Sequence, residues 1–319
     1  MVHVATAQQP KKKKISYAKW GYIFLIPFFV VYLIFTLYPQ LLTIGYSFTE
    51  TYYDLDPIAG SHWEGPRFIG IENYITLFTP DANGEIRILK YLGNTMIMWV
   101  ICALPQFIVS LLLAVIFTSN RLKIKGQPFF KTVFYMPNVI MASAFGLLFF
   151  ELFGSVGPIN KMLISMGWLK ESYDFLGHEV SVRTLIGLLN YIMWFGNTTL
   201  VLMAGIQGID DSVFESARID GAGAFRTFFT ITMPLLKPIF LYVFITSMIG
   251  GLQMFDVPQI LTNGQGTPNK TSFTLVMYLN QMLGVKNYGI SGAISVTLFF
   301  FTAILSIFVF KGITKDNKN

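Results

Sequence analysis

Amide and indole side chains recur along one uncharged stretch of this sequence. Asn190, Trp194 and Asn197 follow the spacing i, i+4, i+7, which places them on one face of a helix. Amides hydrogen-bond sugar hydroxyls in pairs, and an indole ring stacks on the apolar face of a sugar. A second uncharged stretch offers Ser247, Gly250 and Gly251. The alternative is structural: the asparagines hydrogen-bond neighbouring helices, and the glycines allow close packing.

A short amphipathic segment lies between those two stretches. Ser212 and Glu215 have the S-x-x-E spacing of a capping box, which predicts a short helix that starts near Val213. Gly221 is placed to end this helix, and Pro234 to stop a second short helix after it. The apolar side of that second helix consists of Phe225, Phe228 and Phe229. So small a pair of helices cannot bury these side chains, so the segment lies either against lipid headgroups and neighbouring helix ends or against a partner.

The sequence has few residues that could form a disulfide, a metal site or a nucleotide site. Cys102 is the single cysteine, and the three histidines lie far apart in the sequence, so we expect neither a disulfide nor a metal site. The segment Gly264–Thr271 resembles the phosphate-binding pattern G-x-x-x-x-G-K-[ST], but Asn269 replaces its last glycine and no buried strand precedes it. We therefore expect no nucleotide site, no other cofactor and no enzymatic activity in this chain.

The elements that position these residues are predicted by composition. Apolar residues make up 53% of the 319 residues and charged residues 13%, about half of what a soluble domain carries. The windows without any Asp, Glu, Lys or Arg are Trp20–Thr49, Tyr91–Asn120, Thr132–Phe150, Thr184–Ile209, Pro238–Phe255 and Asn287–Phe310. About 20 apolar residues span a bilayer as a helix, so the sequence predicts an all-α membrane protein with six transmembrane helices.

The basic residues predict the orientation of these helices. With six spans both termini lie on one side, and that side holds 15 of the 23 Lys and Arg residues. The eight on the other side are Arg67, Arg87, Lys90, Lys161, Lys170, Arg183, Lys270 and Lys286. The positive-inside rule then places both termini, a basic tail at 1–18 and the loop 208–238 in the cytoplasm. Lysines that set topology account for most of the net charge of +6, so no nucleic-acid partner is expected.

The loop also carries a specific family resemblance. Glu215-Ser-Ala-Arg-Ile-Asp-Gly-Ala222, followed by Ile231-Thr-Met-Pro234, resembles the E-A-A-x-x-D-G-A and I-x-L-P pattern of ABC importer permeases, with Ser216 and Met233 as departures. In that family the loop is a coupling helix that docks on a separate ATPase, which binds ATP and magnesium. The coupling residues that the resemblance implies are Glu215, Ala217, Arg218, Asp220, Gly221, Ala222 and Pro234.

Three further segments resemble sugar importers of the maltose type, in particular their first permease subunit. These are Phe68-Ile-Gly-Ile-Glu-Asn-Tyr74, Phe130-Lys-Thr-Val-Phe-Tyr-Met-Pro137 and Phe255-Asp-Val-Pro258 with Leu261-Thr-Asn-Gly264. The resemblance implies that the sugar binds midway through the membrane, between the helices that flank the coupling loop. The six polar and glycine residues named at the outset lie at the corresponding positions, which favours the binding interpretation over the structural one.

Together these observations predict a six-helix permease domain over residues 19–319 with a coupling helix between the fourth and fifth spans. The expected function is import of a carbohydrate, in particular an oligosaccharide, across a bacterial or archaeal cell membrane. The expected partners are a second homologous permease, two ABC ATPase subunits and an extracytoplasmic solute-binding protein. The alternative is the same machinery with a non-sugar cargo such as a polyamine, phosphate or an amino acid. A secondary transporter would need ionisable residues within the spans, and the six windows have no Asp, Glu, Lys or Arg.

Overall fold

A computed structural model describes residues 18–54, 61–119 and 124–314. Within these residues six helical segments are long and apolar enough to cross a membrane, which confirms the predicted number. They are Lys19–Ser47, Arg87–Thr118, Ala142–Ser165, Glu179–Gln207, Ala224–Leu261 and Tyr288–Thr314. Most of the predicted tail at 1–18 lies outside the described residues, as do the basic residues Arg121, Lys123, Lys315 and Lys318.

The first span consists of two α-helices joined by a π-turn. Helix α1 (Ala18–Tyr32) continues through Leu33–Leu37 into α2 (Tyr38–Ser47). In the π-turn the N–H of Tyr38 donates to the carbonyl of Leu33, five residues earlier. The widened turn lies just before Pro39, whose ring would crowd a regular helix. The span therefore remains continuous despite Pro39.

A small folded unit joins the first two spans. Strands β1 (Thr49–Asp54) and β2 (His62–Phe68) form an antiparallel hairpin, and helix α3 (Glu72–Phe78) follows. This hairpin is the one departure from an all-α fold within the described residues. We call this side of the helix bundle the hairpin end.

Two long helices form the centre of the bundle. Helix α4 (Arg87–Thr118) packs along α8 (Glu179–Gln207), and α11 (Met233–Leu252) packs on both. Their contact is sealed by fully buried side chains along its whole length: Met98, Ile186, Leu202 and Leu236. Because α4 and α8 both begin at the hairpin end, the loop after α8 lies at the opposite end of the bundle. We call it the α9 end, after helix α9 (Asp211–Ile219).

The third predicted window is a broken helix. Helix α5 (Gln127–Val139) ends inside the window, Ile140 and Met141 are extended, and α6 (Ala142–Phe153) continues. Pro137 removes a backbone donor from the last turn of α5, and the N–H of Ile140 turns back to the carbonyl of Pro137 instead. Helix α5 packs on α8 and α6 packs on α12, so the break directs the two halves to different neighbours.

The remaining helices close the bundle. They are α7 (Pro158–Ser165), α10 (Ala224–Thr227) with a π-turn at Phe228–Thr232, α12 (Asp256–Leu261), α13 (Leu275–Gly284) and α14 (Tyr288–Thr314). The loop between α12 and α13 is fixed to the central helices by Arg183 and Asn94. Arg183 Nε donates to the carbonyl of Thr271 at 2.8 Å, and Arg183 Nη2 donates to Asn94 Oδ1 at 2.6 Å.

Candidate functional site

A cavity of about 310 Å³ lies between α4, α8 and α11. It contains all six residues that the sequence predicted for substrate binding: Asn190, Trp194, Asn197, Ser247, Gly250 and Gly251. Helices α8 and α11 are separated in the chain by residues 208–232, which we call the α9 segment. They therefore converge on one space, as the predicted path requires. The remaining lining residues are Cys102, Gln106, Thr198, Val201, Tyr242, Val243, Thr246 and Met254.

The two asparagines on α8 have different surroundings. Asn190 Nδ2 donates to the carbonyl of Ile186 in its own helix at 2.9 Å and lies 3.6 Å from Met254 Sδ. Among the described residues, the side chain of Asn197 has no hydrogen-bond partner, and Trp194 beside it is half-exposed. An amide that bonds no neighbouring helix is available to a ligand. The structural interpretation therefore does not account for Asn197, whereas Asn190 is bonded within its own helix and contacts Met254 after α11.

The two glycines on α11 also differ. A Cβ atom built on Gly251 would lie 2.0 Å from Cδ1 of Trp99, so this glycine allows α11 to approach α4 closely. A Cβ atom on Gly250 would meet no atom within 4 Å. The close-packing interpretation therefore applies to Gly251, whereas Gly250 opens onto the cavity.

Sequence reasoning missed Gln106, the residue that connects the three helices around the cavity. Its Nε2 donates to Thr198 Oγ1 on α8 at 2.7 Å, and its Oε1 accepts from Ser247 Oγ on α11 at 3.4 Å. Trp99 Nε1 lies 3.5 Å from the same Ser247 hydroxyl. A lone glutamine in the uncharged window Tyr91–Asn120 is the same kind of signal that singled out Asn190 and Asn197, so it could have been found.

The cavity is uncharged, and its mainly apolar wall carries several polar groups. None of its fourteen lining residues, all within the described part of the chain, is Asp, Glu, Lys, Arg or His. Amide, hydroxyl and thiol groups together with the rings of Trp194 and Tyr242 provide donors, acceptors and aromatic faces. Such a lining suits a neutral, hydroxyl-rich ligand. Across residues 18–54, 61–119 and 124–314 no three His, Cys, Asp or Glu side chains group together as metal ligands would.

The second predicted site is the segment after α8, and its first helix begins earlier than predicted. The N-cap of α9 is Asp210, whose carboxylate accepts from the N–H of Ser212 at 2.9 Å. The predicted capping box, with Ser212 as N-cap, is therefore wrong, because the carboxylate two residues earlier caps the helix and Ser212 already lies within it. This hydrogen bond from Ser212 holds the pKa of Asp210 below its usual value.

Gly221 ends α9 as predicted. Its φ is +73°, in the left-handed region, and its N–H donates to the carbonyl of Arg218 at 3.1 Å. The N–H of Ala222 donates to the carbonyl of Ala217 at 2.9 Å. This pair of bonds is the Schellman motif, which closes a helix on a glycine. The motif turns the chain sharply between α9 and α10.

Pro234 does not stop the following helix. The π-turn at Phe228–Thr232 joins α10 to α11 without a break, and the N–H of Met233 donates to the carbonyl of Phe228. The predicted stop is wrong because the widened turn makes room for the proline ring, as it does before Pro39 in the first span.

The α9 segment presents an exposed surface at its end of the bundle. Glu215, Arg218 and Asp220 are exposed, whereas Ala217 is buried against the bundle. Two apolar side chains stand out in solvent, Ile219 with 86% and Phe225 with 83% of its surface exposed. Arg218 forms no ion pair with any described residue. Charged and apolar groups side by side, without partners in the chain, are typical of a docking surface.

Known proteins share this architecture. A family model described as "Binding-protein-dependent transport system inner membrane component" matches residues 94–314. The lactose transport system permease protein LacF of Rhizobium radiobacter is 28% identical over 91% of this chain and 92% of its own length. The arabinooligosaccharides transport system permease protein AraP of Bacillus subtilis (strain 168) is 29% identical over 96% of this chain and 93% of its own.

A solved structure shows the same fold. It is a bacterial alginate ABC transporter in complex with an alginate pentasaccharide-bound periplasmic protein. One of its chains superposes with a TM-score of 0.75 at 21% identity, covering 94% of this chain and 96% of that one. The match extends over the hairpin end as well as over the helix bundle, since so little of either chain is left out.

Proposed function

The chain belongs to the family of binding-protein-dependent transport system inner membrane components, and from that premise we propose that its cavity forms part of the path for an uncharged carbohydrate. It is a multi-pass permease subunit of an ABC importer. The observation that carries the cargo proposal is the lining of the cavity, where the unpaired amide of Asn197 and several hydroxyl groups share one uncharged space with the half-exposed ring of Trp194. The relatives named for lactose and arabinooligosaccharides support the same class of cargo.

A charged cargo fits the cavity less well. A polyamine needs carboxylates, phosphate needs cations and an amino acid needs both, and none of the fourteen lining residues supplies either charge. An unpaired charge near the centre of a membrane costs about 2.5–3.5 kcal/mol even by the lower estimates. A neutral sugar has no such cost, because each hydroxyl exchanges water for amide or hydroxyl partners.

We propose that the energy comes from a separate ATPase. The segment Gly264–Thr271, which resembles a phosphate-binding loop, follows helix α12 rather than a strand. Its carbonyls at Lys270 and Thr271 accept from Asn94 and Arg183. The segment thus fixes a loop at the hairpin end and has no feature of a nucleotide site. ATP and magnesium then bind to the partner ATPase, and this chain has no catalytic role.

In this arrangement α9 docks on that ATPase. Glu215, Arg218, Asp220 and Gly221 lie on the exposed part of the α9 segment, and Ala217 holds it to the bundle. Ala222 and Pro234 shape the turn into α10 and the start of α11. A second homologous permease, two ATPase copies and an external solute-binding protein complete the importer, with both termini in the cytoplasm. No nucleic acid has a place in it.

The test is ATP hydrolysis by the reconstituted importer. The chain is purified with its co-expressed neighbours, placed in liposomes, and supplied with binding protein and a panel of neutral oligosaccharides, acidic oligosaccharides, polyamine and phosphate. We expect stimulation by neutral oligosaccharides only. Stimulation only by a non-sugar solute would overturn the cargo, and transport without any ATPase would overturn the mechanism.

A pair of variants tests the cavity within the same assay. Asn197→Val removes the free amide and should reduce the stimulation at least about tenfold, since it removes an interaction on the order of 1.4 kcal/mol. Thr199→Val is the control, because Thr199 is buried on the same helix and its hydroxyl donates to the carbonyl of Phe195 in its own helix. Equal loss in both variants would mean that the effect is structural rather than a loss of binding.

A further inference from the structure

Helix α3 at the hairpin end has three distinct faces. Asn73 and Leu77 face the bundle and are buried. An exposed polar face carries Glu72, Thr76 and Thr79. An exposed apolar face lies between these two and carries Ile71, Ile75 and Phe78, at the spacing i, i+4, i+7 with 61%, 57% and 41% of their surfaces exposed. A helix that lies between protein and water needs only a buried face and a polar face. The exposed apolar face therefore indicates a third environment that is neither water nor the protein interior.

The helix is fixed at the level where the first span ends. Asn73 Nδ2 donates to the carbonyls of Ser47 at 3.0 Å and Thr49 at 2.9 Å, and Tyr74 donates its hydroxyl proton to Ser47 Oγ at 2.8 Å. Ser47 is the last residue of that span. The asparagine and tyrosine of the segment Phe68–Tyr74 thus hold α3 against the mouth of a transmembrane helix.

Two more spans meet α3 at the same level. Leu77 belongs to a buried cluster with Ile88, near the beginning of α4, and Ile294, in the first two turns of α14. Helix α3 therefore lies at the ends of the first, second and sixth spans and contacts them through its buried face. A bilayer that surrounds these spans reaches α3 at its headgroup boundary.

Aromatic residues mark this level independently. Trp63 of the hairpin stacks on Tyr288 at a ring distance of 5.4 Å, and Tyr46 of α2 lies 6.0 Å from the same ring. Tyr53 contacts the other side of this group at 5.1 Å from Trp63, with Lys286 Nζ 4.2 Å from its ring. Trp, Tyr and Lys at the ends of spans are typical of the membrane–water interface.

We propose that α3 is an interfacial helix, with Ile71, Ile75 and Phe78 inserted into the bilayer leaflet at the hairpin end. The polar face with Glu72, Thr76 and Thr79 then lies towards water, and the buried face fixes the helix to the bundle. The partner of this surface is lipid at the boundary between headgroups and acyl chains. The hydrogen bonds of Asn73 and Tyr74 join α3 to the end of the first span, so the position of the lipid surface also fixes that end.

The experiment measures the surroundings of each face directly. Nitroxide labels are attached to one introduced cysteine at a time, Ile71→Cys, Ile75→Cys or Phe78→Cys, with Thr76→Cys and Thr79→Cys as matched controls on the polar face of the same helix. The chain, assembled with its partner subunits, is placed in nanodiscs of equal parts phosphatidylcholine and phosphatidylglycerol. Collisions with oxygen, which concentrates in lipid, and with a water-soluble nickel chelate are measured at each position.

We expect oxygen collisions to dominate at the three apolar positions and nickel collisions to be several-fold lower there than at Thr76 and Thr79. High nickel accessibility at Ile75 would mean that the face lies in water, and low accessibility to both reagents would mean that a protein covers it. Either result overturns the proposal. Labelling of the unsubstituted chain measures any contribution of Cys102, and co-elution with the partner subunits shows that each variant is folded. Since three positions report, a variant that fails to assemble leaves the test intact.

Discussion

At the scale of single residues, the adjacent glycines Gly250 and Gly251 illustrate how one sequence pattern divides into two roles. The pair suggested either a binding site or close packing, and the sequence offers no way to assign these roles. The direction in which each missing Cβ would point assigns them: one towards Trp99, the other into the cavity. Because neighbours on a helix differ by about 100° around its axis, adjacent residues face different surroundings.

The same substitution at both positions should therefore have opposite effects. Gly251→Ala forces the Trp99 ring to move and should lower the free energy of unfolding by about 1–3 kcal/mol. Gly250→Ala meets no atom within 4 Å and should leave stability unchanged or raise it by about 0.5–1 kcal/mol, because alanine favours the helix. Thermal unfolding in detergent measures both.

Transport assays extend this comparison to the cavity. Gly250→Leu fills space in the cavity and should abolish sugar-stimulated ATP hydrolysis without a drop in melting temperature. A Gly250→Leu chain that melts early would show that Gly250 packs in the same way as Gly251, contrary to the geometry.

Gln106 is a cavity residue that the sequence analysis did not single out. The amides of α8 attracted attention because two of them share a face with an indole ring, whereas a single glutamine in α4 has no companion in its own helix. Its partners, Thr198 and Ser247, are 92 and 141 positions away in the chain. The sequence marks Gln106 as a polar residue within a span, and the packing of α4 against both helices shows which residues it bonds.

At the scale of elements, prolines were the main source of wrong boundaries. Pro234 was expected to end a helix, yet both Pro39 and Pro234 follow a π-turn by two residues and the helix continues. Pro137, without such a turn before it, comes just before the break between α5 and α6. A proline in a span therefore does not by itself predict a break, since Pro27, Pro105 and Pro238 also lie inside continuous helices without a π-turn directly before them. Which proline interrupts a helix is decided by packing that the sequence does not display.

The turn at Gly221 is the element whose geometry is most demanding, and it yields a sharp prediction. Gly221→Pro would fix φ near −65°, far from +73°, and would remove the N–H that bonds the carbonyl of Arg218. The Schellman motif would be lost and α9 would be misdirected. We expect the affinity for the ATPase to fall at least about tenfold, equivalent to about 1.4 kcal/mol, while membrane insertion is unchanged.

Gly223→Pro provides the matched control for that variant. Gly223 already has a φ of −70°. Among the described residues its N–H donates no hydrogen bond. Co-purification of the ATPase and coupled ATP hydrolysis should survive this change and not the one at Gly221. Normal ATPase association in Gly221→Pro would contradict the docking role of the α9 segment.

At the scale of the whole molecule, the number of spans could be predicted from charge alone, because a charge within a bilayer is so costly that its absence marks a span. The bounds of the third could not, since the observed segment Ala142–Ser165 includes Glu151 and Lys161 and begins ten residues after the predicted window. The hairpin could not, since β2 consists entirely of exposed residues and offers no alternation of apolar and polar side chains. The convergence of α8 and α11 on one cavity was predicted through a resemblance rather than through packing. Contacts between distant segments could not be predicted from the sequence. An example is the pair of hydrogen bonds from Asn94 to the carbonyls of Lys270 and Phe273.

The distribution of charge between the two ends gives the last prediction. Of the eight basic residues assigned to the hairpin end, Arg67, Arg87, Lys90 and Arg183 pair with nearby carboxylates. The remaining 15 of the 23 lie in the segments assigned to the other side, so the α9 end carries the greater positive charge and should be cytoplasmic.

A fluorescent protein fused after Asn319 should fluoresce, and alkaline phosphatase fused there should be inactive. Alkaline phosphatase fused after Lys286, in a chain truncated at that point, should be active. The reverse pattern would place α9 outside the cell, where no ATPase could dock.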